Sequence, residues 1–193
     1  MSEGRTGATG AAGAGTDPDD RAQAGGGRRR IVSSRHLASA DLWQSSEFEF
    51  GLIIAHNAFG RWVTKCMGAA GHPGLSVLEV LVLHNVNHRD RQKRLSDVAF
   101  MLNVEEPHTV NYALRKLVRS GLIEGEKRGK EIFYAATGEG REACRRYRDV
   151  RERCLIDSLR TMDLDPERLS EVAALLRSMS GLYDQASRAA TSL

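Results

Sequence analysis

The densest chemistry in the chain lies between His108 and Arg119, in the stretch "HTVNYALRKLVR". If this stretch is helical, Val110, Ala113, Leu114 and Leu117 recur at three- and four-residue spacing and share one face. The other face then carries His108, Thr109, Asn111, Tyr112, Arg115, Lys116 and Arg119. An asparagine amide can bond both edge atoms of adenine, an arginine can fork onto guanine, and a threonine methyl can touch that of thymine. Lysine or tyrosine can hold a phosphate oxygen. The same residue types also fill ordinary solvated helix faces. What separates the two readings follows Gly121. "LIEGEKRGKEIFYAAT" changes period, with Leu122 and Ile123, a polar bend, then Ile132, Phe133 and Tyr134. That pattern predicts a β-hairpin tipped by Lys127, Arg128, Gly129 and Lys130. Cations on a loop beside the helix can reach the backbone or a neighbouring minor groove of the same duplex.

The helix is preceded by "NVEEP", which sets Glu105, Glu106 and Pro107 at its start. Carboxylates there interact favourably with the positive helix end, by a few tenths to about 1 kcal/mol, and proline loses little where its missing N–H has no partner. Against a polyanion the same charges repel phosphate, although one of them can accept from a cytosine amino group. The local role is the one expected.

Other elements must position this face. Asp41 can cap a helix from about Leu42 to Met67, with Leu52, Ala55, Phe59, Trp62, Val63 and Cys66 as its apolar stripe. "GAAGHPG" breaks it, and Ser76 caps a second helix over "VLEVLVLHNV". The charged "NHRDRQKR" follows. Ser96 then caps a short helix with Val98, Ala99, Met101 and Leu102 on one side, and Gly121 ends the helix after it. Thr137 caps a long helix to about Met162. Pro166 opens the last, striped by Leu169, Val172, Leu175, Leu176, Met179, Leu182 and Tyr183. The fold class is mainly α with a small β-hairpin wing, that is, a winged helix-turn-helix flanked by long terminal helices.

The chain has 193 residues, 41% hydrophobic and 27% charged, enough for one substantial domain and a tail. Its net charge of +3 permits a polyanionic partner without requiring one. No apolar run is long enough to span a membrane and no secretory leader is evident, so a cytoplasmic location is expected. Residues 1–35 carry almost nothing large and apolar and read as a disordered tail. It ends in Arg28, Arg29 and Arg30, either a solvated charge run or an arm for phosphate.

Several other residues carry weaker signals. His84 and His88 stand at chelating spacing, but no further ligand is evident and a histidine near a helix C-terminus needs no metal, so none is expected. Cys144 and Cys154 lie about 15 Å apart along one helix and cannot bridge within it, and Cys66 is expected in the core. Trp43, Phe48, Phe50, Phe59 and Trp62 fit core or dimer packing, or the wall of a pocket for an aromatic effector. No phosphate loop, catalytic carboxylate pair or nucleophile motif is present, so neither an enzyme nor a cofactor is expected.

In order, "LSVLEVLVLH", "RLSDVAFMLN", "HTVNYALRKLVRSGLI" and "RGKEIFYAATGEGREA" resemble the MarR family of bacterial transcription regulators, over about Leu42 to Leu182. The resemblance implies a homodimer whose first and last helices interlock, a recognition helix in the major groove and a wing beside it. It implies a repressor on double-stranded DNA, open to a small-molecule effector. Two departures stand out: "EKRGKEIF" lacks the usual Asp-x-Arg wing element, leaving Arg128 as the nearest match, and the turn at "VEEPHT" is one residue longer than usual. The expected organisation is residues 36–74 for dimerisation, 75–137 for DNA and 138–193 for dimerisation again. His108, Thr109, Asn111, Tyr112 and Arg115 are expected to face bases. Lys116, Arg119, Lys127, Arg128 and Lys130 are expected on the backbone. The alternative is a winged-helix protein-interaction module that does not bind DNA.

Overall fold

The apolar stripe expected in the helix after Pro107 is the centre of the observed core, with Val110, Ala113, Leu114 and Leu117 all buried. A computed structural model of the chain describes residues 42–162 and 164–193. The expected tail, Arg28 to Arg30 and the Asp41 cap lie outside the described residues. The chain divides into two units, one ending at Ile54 and one running from Ala55 to Leu193.

Helix α1 (Gln44–Ala69) crosses that division. In the first unit it leaves Phe50, Leu52, Ile53 and Ile54 exposed. The rest of the molecule lies in the second. There the end of α1 buries Val63, Cys66 and Met67, and Trp62 packs against the same cluster. Helix α2 (Val77–Asn87) starts on the expected Ser76 cap, with Glu79 closing a capping box. A two-residue strand β1 (Lys93–Arg94) follows, then α3 (Leu95–Met101) and α4 (Pro107–Arg119). The hairpin is β2 (Ile123–Arg128) and β3 (Glu131–Ala136), in register from Ile123 opposite Ala136 to Arg128 opposite Glu131. Strand β1 adds to its other edge, giving the antiparallel order β1-β3-β2. Helix α5 (Gly138–Arg151) begins at Thr137 and continues through a π-helical turn, Glu152–Ile156, into α6 (Asp157–Thr161). Helix α7 (Pro166–Ala190) starts on Asp165, whose carboxylate accepts from the Glu167 N–H.

Three helices end by one device. After α1, α3 and α4, a residue in left-handed conformation, Gly71, Asn103 or Gly121, turns the backbone. The next N–H then bonds back across the turn: His72 to Met67 O, Val104 to Ala99 O, and Leu122 to Leu117 O. Glycine or asparagine is what this geometry tolerates.

One local expectation is corrected. Ser96 does not cap α3. Pairing with β3 holds Arg94 extended at the cap position, and Asp97 accepts its N–H, so Ser96 falls within the first turn. The charged stretch before α3 supplies a short 3₁₀ turn, His88–Asp90, and then β1.

The base of the hairpin is locked to α5 through one threonine and one glycine. The Thr137 hydroxyl donates to Gly121 O at 2.7 Å and accepts from the Gly140 N–H at 3.1 Å. Gly140 sits so close to the strand that a Cβ there would lie 1.9 Å from Leu122 O. Overpacking of this kind costs about 1–3 kcal/mol. We therefore expect Gly140→Ala to lower the unfolding free energy by about that amount in denaturant melts, whereas Gly138→Ala, where a Cβ meets nothing within 4 Å, is close to neutral.

Candidate nucleic-acid interface

Burial of Val110, Ala113, Leu114 and Leu117 turns His108, Tyr112, Arg115 and Arg119 out to solvent, with Thr109 and Asn111 half-buried beside them. Five of the expected base-facing residues are thus on one exposed side of one helix. Thr109 is already committed on one side, because its hydroxyl donates to Glu106 O at 2.8 Å. What it can still offer is its methyl group and a lone pair.

Lys116 is placed differently from the expected backbone contact. Its ammonium donates to the Glu79 carboxylate at 2.8 Å and to Gly74 O at 3.1 Å, and the Glu79 side chain is only 4% exposed. The cation is drawn off the outer face because a buried carboxylate on α2 needs a partner. Glu106 also departs from expectation. It occupies the cap position ahead of Pro107 and accepts no capping bond, so the first turn of α4 contains no acid. Its carboxylate instead lies 3.3 Å from His108 Nε2, on the surface.

The hairpin carries its cations at the tip, where Gly129 takes the left-handed conformation that the tight turn needs. Lys127, Lys130, Arg115 and Arg119 make no ion pair among the described residues. Arg128 does: it bonds Glu126 and lies over the Phe133 ring, 5.1 Å from its centre. Sequence reasoning missed Arg94. Its guanidinium joins Asp97 at 3.0 Å to Glu131 at 3.1 Å, so it ties the start of α3 to the wing strand. The hydrogen bond from Arg94 holds the Asp97 carboxyl below the ordinary carboxylate range. The available signal was the Arg-x-x-Asp spacing in "RLSD", which places the two groups one helical turn apart.

A separate cleft of about 480 Å³ opens between α2 and α5. Leu81, Cys144 and Tyr147 line it together with Arg148 and Arg151, and His84 lies edge-on to Tyr147 with ring centres 4.5 Å apart. Burial lowers the His84 pKa, and its Nε2 has no hydrogen-bond partner. Burial also pushes the Cys144 thiol up to about 11 and raises that of Cys66, so both are held protonated. Cys154 is exposed.

Residues 75–140 match the family model described as a winged helix DNA-binding domain. Among curated proteins, none matches the sequence. Three solved structures are similar across most of their length. One is a transcriptional regulator (MarR family) from Rhodococcus sp. RHA1, with TM-score 0.54 and 19% identity, covering 70% of this chain and 93% of that one. A mutant MarR from E. coli complexed with operator DNA gives a TM-score of 0.58 at 14% identity, over 70% and 95% of the two chains. CouR from Rhodococcus jostii RHA1 bound to p-coumaroyl-CoA gives 0.55 at 19% identity, over 70% and 92%. This chain is a winged-helix protein with the MarR fold. Within the MarR fold, α3 and α4 are the helix-turn-helix and β2–β3 the wing. Arg94 is the link between them.

Two predictions follow from these charges. Glu106→Gln removes a negative charge from the exposed start of α4 and should tighten binding to random duplex DNA in fluorescence anisotropy; unchanged or weaker binding would contradict it. The second concerns acid stability. Burial pushes the Glu79 carboxyl up, but hydrogen bonds from Lys116 and the Ser76 N–H outweigh it, leaving a net value below the ordinary range. Because the folded value is depressed, this contribution is present above the unfolded carboxylate value and is lost as pH falls through the folded one. Denaturant melts across the acid range should show a shallower loss of stability in Glu79→Gln than in the wild type.

Proposed function

We propose that the chain is a DNA-binding transcription regulator, a homodimeric repressor that sets α4 into the major groove and the β2–β3 wing on the backbone or minor groove. The observation that carries this reading is the division of α4, with four aliphatic side chains buried and His108, Tyr112, Arg115 and Arg119 turned outward, while Lys127 and Lys130 of the exposed wing tip make no ion pair among the described residues. His108, Thr109, Asn111, Tyr112 and Arg115 would meet base edges. Arg119, Lys127, Lys130 and, after exchanging Glu126 for phosphate, Arg128 would hold the backbone. The similar MarR complexed with operator DNA supports the assignment.

The dimer reading draws on surface that a lone chain leaves uncovered. Helix α7 exposes Leu169, Val172, Leu175, Leu176 and Leu182, and α1 exposes Phe59 as well as the residues before the unit division. Apolar stripes of this extent mark interaction surfaces. In this scheme the terminal segments, 36–74 and 138–193, pair the protomers, and 75–137 binds DNA in the cytoplasm. Twofold symmetry sets half-sites about one helical turn apart. A small-molecule effector would act by favouring a dimer spacing the groove rejects. The cleft between α2 and α5 is a place for it, and the similar CouR is bound to p-coumaroyl-CoA.

One observation favours the interaction-module reading: Arg94, Lys116 and Arg128 are all bonded to the chain's own carboxylates, and His108 lies beside one. Salt response decides between the two. Binding to duplexes from the protein's own upstream region should weaken steeply as salt rises, and Lys127→Ala or Lys130→Ala should each flatten the log–log slope by about 0.9. Arg115→Ala should instead cut the preference over random duplex about tenfold, with little change in slope. A duplex affinity indifferent to salt would leave the module reading standing.

A further inference from the structure

Apolar packing holds α4 in place without fixing its rotation. Contacts such as those of Val110, Leu114 and Leu117 are non-directional, and a helix can roll by part of a residue while keeping its aliphatic side inside. For a helix that reads base edges a roll matters, because Asn111, Tyr112 and Arg115 would all sweep sideways across the groove. Something directional is needed to hold the angle.

The directional bonds lie at Lys116, which neighbours Arg115 in sequence. Its ammonium is pinned at two points outside α4, Glu79 Oε2 on α2 at 2.8 Å and Gly74 O in the preceding turn at 3.1 Å. Glu79 cannot swing to follow a moving partner. The same Oε2 accepts from the Ser76 N–H at 2.7 Å, while the Ser76 hydroxyl accepts from the Glu79 N–H at 3.3 Å. The carboxylate is therefore held at the start of α2 by the capping box and is almost wholly shielded from water. Gly74 is held as well, in a left-handed conformation that other residues rarely adopt. The Lys116 side chain is 35% exposed, so the pair is weak evidence for net stability; what its directional bonds add is geometry.

We propose that Glu79 and Lys116 are positioning residues: their ion pair sets the rotation of α4 against α2, and so decides which side chains of α4 meet base edges. The inference rests on the regulator reading for its consequence at DNA, while its structural half stands apart from that reading. It also gives Lys116 a role opposed to phosphate gripping. A phosphate contact adds affinity for any duplex, whereas a positioning contact adds preference for one sequence over others.

The test uses the full chain with Lys116→Met, Glu79→Gln and the double substitution. The probes are a duplex selected from a random pool by the wild-type protein and a scrambled duplex of equal composition. We expect Lys116→Met to lower the preference for the selected duplex about tenfold, with scrambled-duplex affinity and the salt slope unchanged. Glu79→Gln should move the preference in the same direction, and the double substitution should be no worse than the larger single effect, because both break one link. A loss of folded protein alone would weaken both duplexes equally and leave their ratio intact. The proposal is overturned if Lys116→Met flattens the salt slope by about one and weakens both duplexes alike, or if Glu79→Gln tightens binding by releasing a phosphate-seeking cation. Amide hydrogen exchange without DNA supplies the second measurement. Amides of α4 should exchange about tenfold faster in both single variants while those of α5 hold. If the wild type selects no duplex, the regulator reading fails and exchange alone decides the ion pair's role. Unchanged α4 protection in both variants overturns it.

Discussion

The burial of Val110, Ala113, Leu114 and Leu117 is the constraint on which the rest of the molecule turns. Removing a valine or leucine side chain from water contributes about 1.5–3 kcal/mol, and the smaller Ala113 less; all four lie on one side of a three-turn helix. Turning α4 to its opposite side would expose all four, so the polar residues between them face out, within the small roll that non-directional packing allows. The same packing commits the chain beyond the helix. Gly121 turns the backbone one helical turn after Leu117, the last buried residue of the stripe, and Leu122 and Ile123 carry the core into β2. The hairpin is thereby attached to the end of the helix it works beside.

Around this core the charges are arranged by burial. The most shielded acid, Glu79, draws Lys116 inward, because an unpaired carboxylate in that position costs more than an ordered lysine side chain. Further out, Arg94 and Arg128 are bonded to neighbouring acids in solvent-exposed pairs, which water and salt weaken. Such pairs can be exchanged for phosphate. A surface that first satisfies its cations with its own carboxylates attracts polyanions less strongly in general; under the proposed function this leaves a larger share of discrimination to Arg115 and its neighbours.

The terminal helices present the complementary problem. The final stretch of α1 joins the core through Val63, Cys66 and Met67, while α7 keeps Leu169, Val172, Leu175, Leu176 and Leu182 in contact with solvent. A helix striped in this way gains little from folding alone and needs a second apolar surface. The winged lobe has its own buried core, whereas the apolar stripe of α7 lacks cover among the described residues, and it is this contrast that the proposed dimer addresses.

The period of the apolar residues, the proline and serine at helix starts and the glycines at helix ends are local signals, and they sufficed for α2, α4, the hairpin and the Thr137 and Pro166 boundaries. They also separated the buried and exposed sides of α4, because that split depends only on a repeat near 3.6 residues. What the tertiary structure alone decided involves partners distant in sequence. Strand β1 exists because β3 lies alongside it, and that pairing moved the start of α3 off Ser96. Lys116 left the expected contact surface because Glu79, thirty-seven positions earlier, is buried against it. Arg94 became a bridge only when Glu131 folded back to meet it. Hydrophobic periodicity is written residue by residue along one chain. The partner of a charge is set by which segments the core brings together.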